Sequence, residues 1–335
     1  MQIKWPSGYR MRFIVRIAFT FISVCMCVLS YAQQRLNVVF TSDLHSCAWN
    51  YSKIAYVIET QRQKSTSCGI PFIVLDAGDI AMGSVYHSVF DTHAVEYRSM
   101  ARMGYDAIAQ GNHDFDFGVD ALVRMYKVAW QRDSLIEPPA LLCANVTSKS
   151  LDKAFLLAQK AFRGKYKIFE KGGVKIGVLG VLGEEAYNVI GKDREKLTFY
   201  DPVKECRKIV GELKKTGVDY IIVISHGGTA SGNDIDLAES VDGIDLIISG
   251  QDHDLLREPL KVGNTYIVAA ASDGRYVGKV ELEGRRLKNY TLFETDGVAQ
   301  AEPSVGRWVD SMQMVVSKRF YKESGVNLED TVTYL

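Results

Sequence analysis

Proline is scarce, with seven in 335 residues, and no segment is a low-complexity linker or an internal repeat. Lysine plus arginine number 40 and so do aspartate plus glutamate, leaving a formal net charge of zero. The basic surplus of a chain that binds nucleic acid polymer is missing, and so is the acidic run of a disordered tail. The six cysteines include no C-x-x-C pair, which argues against a zinc knuckle. The one strongly apolar run, residues 17–29, falls short of the roughly 20 residues that a membrane span needs.

What is present is ordinary for a globular chain: 47% hydrophobic and 24% charged residues, in a length that suits one large domain or two small ones. The N-terminus departs from this. Arg10, Arg12 and Arg16 precede the apolar run, and Ser30-Tyr31-Ala32 then places small residues three and one before a possible cut. This is the pattern of a cleaved secretory signal, residues 1–32, with the mature chain starting near Gln33 in an exported, periplasmic setting. An uncleaved anchor is the competing reading. No small residue directly precedes Cys25 or Cys27, so a lipid-modified cysteine is not favoured. For the remaining Cys47, Cys68, Cys143 and Cys206, free buried thiols are expected, because a chain this long buries a core without disulfides.

Short β-branched, apolar runs recur, each ending in a polar loop. Residues 36–41, 72–75, 105–109, 140–144, 219–224 and 244–248 read as strands. Residues 166–169 and 174–181 flank Lys171-Gly172-Gly173 as a hairpin, and 265–296 holds two or three antiparallel strands. Residues 49–64, 88–103, 119–133, 202–215 and 302–321 read as helices, with Pro202 in a first turn. Strand, polar loop and helix in repetition predict an α/β fold whose site lies at the C-terminal ends of the strands. The strand-rich last third predicts mixed sheets.

Five loops share one character: Asp43-Leu44-His45, Gly78-Asp79, Gly111-Asn112-His113-Asp114, His226-Gly227-Gly228 and Gly250-Gln251-Asp252-His253. Each follows a buried strand and carries carboxylate, imidazole or amide groups beside small residues. Of six histidines, only His87 and His93 lie elsewhere. Singly, each loop is as well explained by a turn or by a hydrogen-bonded core histidine. Together they place repelling carboxylates at one edge, which a cation relieves. Asp and Asn oxygens with imidazoles suit Zn²⁺, Mn²⁺ or Fe²⁺ rather than copper.

In this order the loops resemble the metallophosphoesterase superfamily, whose signature runs D-x-H, G-D, G-N-H-(D/E), a later His, then G-H-x-H. The segments VVFTSDLHS, VLDAGDIAMGS, AQGNHDFDFG, LLCANV, VISHGG and GIDLIISGQDH are similar to the catalytic N-terminal domain of the 5′-nucleotidase family. The resemblance implies a calcineurin-like four-layer α/β/β/α sandwich with mixed sheets over residues 33–300, followed by a C-terminal helix, 301–335, like that family's interdomain linker. It implies two divalent metal ions, Mn²⁺ or Zn²⁺ foremost, with Mg²⁺ or Fe²⁺ compatible. Asp43, His45, Asp79 and His253 would hold one. Asp79 would bridge to the second, held with Asn112, His226 and position 251. The family has histidine there, and this chain has Gln251. An amide oxygen is a weaker donor that Mn²⁺ or Mg²⁺ tolerates better than Zn²⁺. The alternative is that Gln251 does not ligate and water fills the gap.

The implied reaction is hydrolysis of a small-molecule phosphate ester, a nucleotide foremost, by a water that the metal pair activates. His113 would aid the leaving group, oriented by Asp116. The plainer reading makes Asp116 a helix cap and Asp114 a turn residue. Asp76 and Asp252 read as acceptors behind the ligands or as turn residues, Cys47 as a packing residue, and His87 and His93 as surface or pocket-rim residues. The family's nucleoside-binding second domain is expected to be absent, so the chain acts alone on varied esters or a separate chain supplies that half. Two other readings stay open: a thiosulfohydrolase of the same family, and a weakly metal-binding, non-catalytic subunit.

Overall fold

The computed structural model describes residues 34–133, 136–156 and 163–325. The expected signal segment and the last ten residues lie outside that range. No helix among the described residues is long and apolar enough to cross a membrane.

Fifteen strands are present among the described residues. They are β1 Arg35–Thr41, β2 Phe72–Asp76, β3 Ala107–Ala109, β4 Ala140–Leu142, β5 Val146–Thr147, β6 Arg163–Gly164, β7 Tyr166–Lys171, β8 Val174–Leu182, β9 Thr198–Phe199, β10 Tyr220–His226, β11 Leu246–Ser249, β12 Leu260–Val262, β13 Thr265–Val268, β14 Tyr276–Glu283 and β15 Arg286–Glu294. One sheet has the order β15-β14-β1-β2-β3-β4-β6, the other β12-β13-β11-β10-β8-β7, and β5 pairs with β9 in a small ribbon. The centres are parallel: β1, β2, β3, β4 and β6 in the first sheet, β8, β10, β11 and β13 in the second. The β14, β15, β7 and β12 pairings are antiparallel.

The layering follows from side-chain alternation. Leu36, Val38 and Phe40 of β1 enter a core shared with Ile222 and Ile224 of β10 and Leu246 and Ile248 of β11, so the two sheets face each other. Val39 points the other way, into a second core beneath helices that include Ala48–Ser67 and Val119–Arg132. On the far side, Val223 and Ile247 pack with Ile209, Val210 and Leu213 of helix Pro202–Lys215. The result is an α/β/β/α sandwich in which central strands are apolar on both faces. Each buried aliphatic side chain contributes about 1.5–3 kcal/mol.

The structure corrects several expected elements. The helix expected over 88–103 is three pieces, a 3₁₀ turn Val85–Val89 and helices Phe90–His93 and Val95–Met103. Ala94, at φ 51°, is left-handed between the last two, which ends the first helix. Strand β13 pairs in parallel with β11, so 265–296 is not a purely antiparallel unit. The short helices Lys149–Leu156, Glu184–Val189 and Asn233–Ser240 had no clear periodic signal.

Helix Pro303–Ser324 starts with Pro303 in its first turn and a cap in which Glu302 accepts the Ser304 N–H. It lies on the body of the domain. The Trp308 ring faces the guanidinium carbons of Arg98 at 4.3 Å and Arg102 at 3.9 Å, and its indole N–H donates to Ser99 Oγ at 2.9 Å. Asp133 accepts from both arginines. Burial works against its charge, but those bonds outweigh it and lower its pKa to about 2.

Candidate metal centre

Five loops leave the C-terminal ends of strands in both sheets. After β1 come Asp43 and His45, after β2 Asp79, after β3 Asn112 and His113; β10 ends at His226, and after β11 come Gln251 and His253. The loops hold one another. Asp43, His45 and Ser46 donate their backbone N–H groups to the carbonyls of Gly78, Asp79 and Ile80, each at 3.0 Å. The Gln251 N–H donates to Asp43 Oδ1 at 2.9 Å, and the His113 N–H to Asp79 Oδ1 at 2.9 Å. Gly111 permits the approach of the third loop, since a Cβ there would fall 2.0 Å from Asp79 Oδ1.

Backbone strain gathers here. Of twelve non-glycine residues with positive φ among those described, five are Asp43, His45, Asp79, Gln251 and His253. Such conformations cost on the order of 1–3 kcal/mol each and persist where the surroundings enforce them, chiefly at functional sites.

Five of the seven expected residues, Asp43, His45, Asp79, His226 and His253, come together in two groups. Ligand atoms of Asp43, His45 and His253 form one group, and those of Asp43, Asp79 and His226 form another, each within 4.8 Å. Asp43 belongs to both groups, and Asp79, the bridge that the resemblance implies, lies with it in the second. Asn112 joins the second group, its Oδ1 3.2 Å from His226 Nε2. Gln251 sits against Asp43, and its side-chain oxygen is buried without a partner.

The donor set fits cations. His226 Nδ1 donates to the Ala77 carbonyl at 2.9 Å, which turns Nε2 inward, 3.0 Å from Asp79 Oδ2. Three acceptor atoms, from Asp79, Asn112 and His226, thus meet in a dry place. Burial opposes a charge on His226, but Asp79 outweighs it and raises the pKa to about 10. That proton is the least cation able to join these groups. Asp79 is buried too, yet the His226 charge holds its pKa below the ordinary value. Asp43 is fully buried and its Oδ2 has no partner; burial raises its pKa to about 6, against the pull of His226. His45 and His253 bring their Nε2 atoms to 2.9 Å, a contact of two lone pairs unless a proton or metal intervenes. Burial lowers the His45 pKa, which keeps the ring neutral and able to ligate.

His113 lies at the mouth, its ring edge-on to His45 with centroids 5.3 Å apart. Its Nδ1 is 2.7 Å from Asp116 Oδ2. Burial disfavours its charge, but the Asp116 bond and the charge of Asp79 raise its pKa above the ordinary value. Among the remaining candidates, Asp76 accepts from Thr41 Oγ1 at 2.6 Å and from the Gly78 N–H at 2.9 Å. Asp252 accepts from the Ser231 N–H at 2.8 Å, and Cys47 is buried and free.

Three supports were not legible as such in the sequence. Asp114 accepts the Gly111 N–H at 3.0 Å under the third loop, Glu96 accepts Ser46 Oγ at 2.7 Å, and the Asp273 N–H donates to the Asp43 carbonyl at 2.8 Å. Only Asp114 had a local signal, its place inside the motif. The other two come from distant segments that only the fold unites.

Comparison with known proteins agrees with this geometry. The calcineurin-like phosphoesterase family model matches residues 36–255. The chain is 27% identical over 306 residues to a 5′-nucleotidase of Vibrio cholerae, covering 78% of this chain and 52% of that one. It spans about half the length of the curated relatives it matches. Its fold is that of the calcineurin-like phosphoesterase YfkN of Bacillus subtilis (TM-score 0.69, 20% identity, 85% of this chain and 98% of that one). It is also that of a sulfate thiohydrolase of Thermus thermophilus (TM-score 0.69, 18% identity, 84% and 60%). The chain belongs to the calcineurin-like phosphoesterase family, the metal-dependent phosphoester hydrolases.

Proposed function

We propose that this chain is an exported, 5′-nucleotidase-like phosphohydrolase that releases phosphate from nucleotides or related esters at a two-metal site. The observation that carries this reading is the meeting of ligand atoms of Asp43, His45, Asp79, His226 and His253 in two groups that share Asp43, a buried carboxylate whose Oδ2 is unpartnered. Asp43, His45 and His253 would hold one divalent cation, and Asp79, Asn112, His226 and Gln251 would hold the other. Bound divalent cations supply Lewis acidity and a nucleophile at neutral pH.

The protein groups do the rest. The Ala77 carbonyl fixes the His226 tautomer, and hydrogen bonds between the loops hold the carboxylates in place before substrate arrives. Asp116 holds the Nδ1 proton of His113, so that the other ring nitrogen serves the leaving-group oxygen as general acid. Its raised pKa favours the protonated form that this role requires. Gln251 weakens the second site relative to a histidine and tilts it toward harder ions. Arg10, Arg12 and Arg16 before the apolar run 17–29, with Ser30 and Ala32 after it, support export.

The test is a substrate panel on the Mn²⁺-loaded chain, residues 33–335: AMP, a simple aryl phosphate and a carrier-bound thiosulfonate. Phosphate release from AMP supports the proposal. Turnover of the thiosulfonate alone would move the chain to the thiosulfohydrolases. Turnover of AMP only when a separate base-binding chain is added would make a partner part of the enzyme. Two-metal binding without turnover of any ester would leave a binding subunit.

A further inference from the structure

Beside the dyad, the chain displays an aromatic surface that neither the metal centre nor the core uses. Phe117 directly follows Asp116 and is 38% exposed, as is unusual for a phenylalanine. Its ring lies on Phe90, which is buried, with centroids 5.8 Å apart and planes at 30°. The His87 ring lies beside it at 5.9 Å and 36°. His87 Nδ1 is buried without a hydrogen-bond partner, and the ring lies tilted against Phe117.

This surface is tied to the metal loops. Ser84 Oγ donates to the Ser46 carbonyl at 2.7 Å. Gly83, at φ 102°, lies so close over His45 that a Cβ would come 2.8 Å from its carbonyl oxygen. The 3₁₀ turn Val85–Val89 therefore runs from His45 to Phe117, and His113 stands between His45 and Asp116.

We infer that Phe117 and His87 form a shelf that stacks the base of a nucleoside leaving group. The inference rests on the phosphohydrolase reading above. If His113 protonates the leaving oxygen, the leaving group departs on the His113 side, which is the side of this shelf. Stacked aromatic rings hold any base by its π-face, which gives preference for nucleosides over plain sugars without choosing among bases.

The test is adenosine binding by calorimetry to the Mn²⁺-loaded chain, a readout that needs no turnover, with ribose as the ring-free control. Phe117→Leu keeps apolar volume over Phe90 and removes the ring; Phe117→Tyr keeps the ring. Adenosine should bind the native chain and Phe117→Tyr alike, and about tenfold more weakly to Phe117→Leu and His87→Ala. In turnover, the preference in kcat/KM for AMP over ribose 5-phosphate should fall by a similar factor in Phe117→Leu. Equal adenosine affinity in Phe117→Leu and the native chain, or no adenosine binding by the native chain, would overturn the shelf. A loss confined to 4-nitrophenyl phosphate would overturn the assignment to nucleosides. Hydrolysis of phosphate esters with no effect of Phe117 would sink the shelf and leave the hydrolase reading standing.

Discussion

At Gln251 an amide oxygen stands where the resemblance places imidazole. The backbone is already committed to the site: φ is positive and the N–H is bonded to Asp43. Only the side-chain donor has changed. Gln251→His should therefore raise the affinity of the weaker metal site by about tenfold or more without disturbing the fold, as read by Mn²⁺ titration calorimetry. Gln251→Ala should lower it, and equal affinities in all three proteins would show that the side chain does not ligate. His113→Ala should cost about 10²–10⁴ in kcat while both metals still bind, because in the proposed mechanism the ring serves the leaving group rather than the ions. Asp116→Asn should cost less, and mainly in kcat, since it alters the tautomer and proton affinity of His113. The residues that cluster here were legible in sequence because each sits in a short motif at a strand end. That Asp43 would belong to both groups of ligand atoms was not, because motif spacing does not say which loops the fold brings together.

Among the elements, helix Pro303–Ser324 is held by buried Val305, Met312 and Val316 and by the partly buried Trp308. Trp308→Ala should destabilise the chain by about 2–3 kcal/mol, through lost packing and two cation–π contacts. Denaturant unfolding measures this, and a loss below about 0.5 kcal/mol would show the helix to be loosely attached. Asp133 adds a pH signature. Its folded pKa of about 2 lies below the unfolded value, so its contribution is complete above about pH 4 and is lost as pH falls through 2. The stability gap between the native chain and Asp133→Asn should accordingly shrink between those pH values; a constant gap would contradict the assignment. The strands were legible because burial on both faces writes continuous apolar runs. The break at Ala94 was not, since nothing in its side chain announces a left-handed residue. The layer order was not derivable from periodicity either, because residues such as Val38 and Val39 read alike although they enter different cores.

On the scale of the whole molecule, the two sheets send their C-terminal loops to one place, three from the first sheet and two from the second. A metal site built this way would depend on both halves of the sandwich, so metal binding and folding would be linked. Saturating Mn²⁺ should raise the melting temperature, and Asp43→Asn should remove most of that rise, since Asp43 belongs to both groups of ligands. The most direct test is phosphate release from AMP by metal-stripped chain titrated with Mn²⁺, beside His113→Ala. The account predicts release that grows up to two equivalents of metal and collapses in the variant although it binds the same two. Release that is complete at one equivalent, or that survives in His113→Ala, would contradict it.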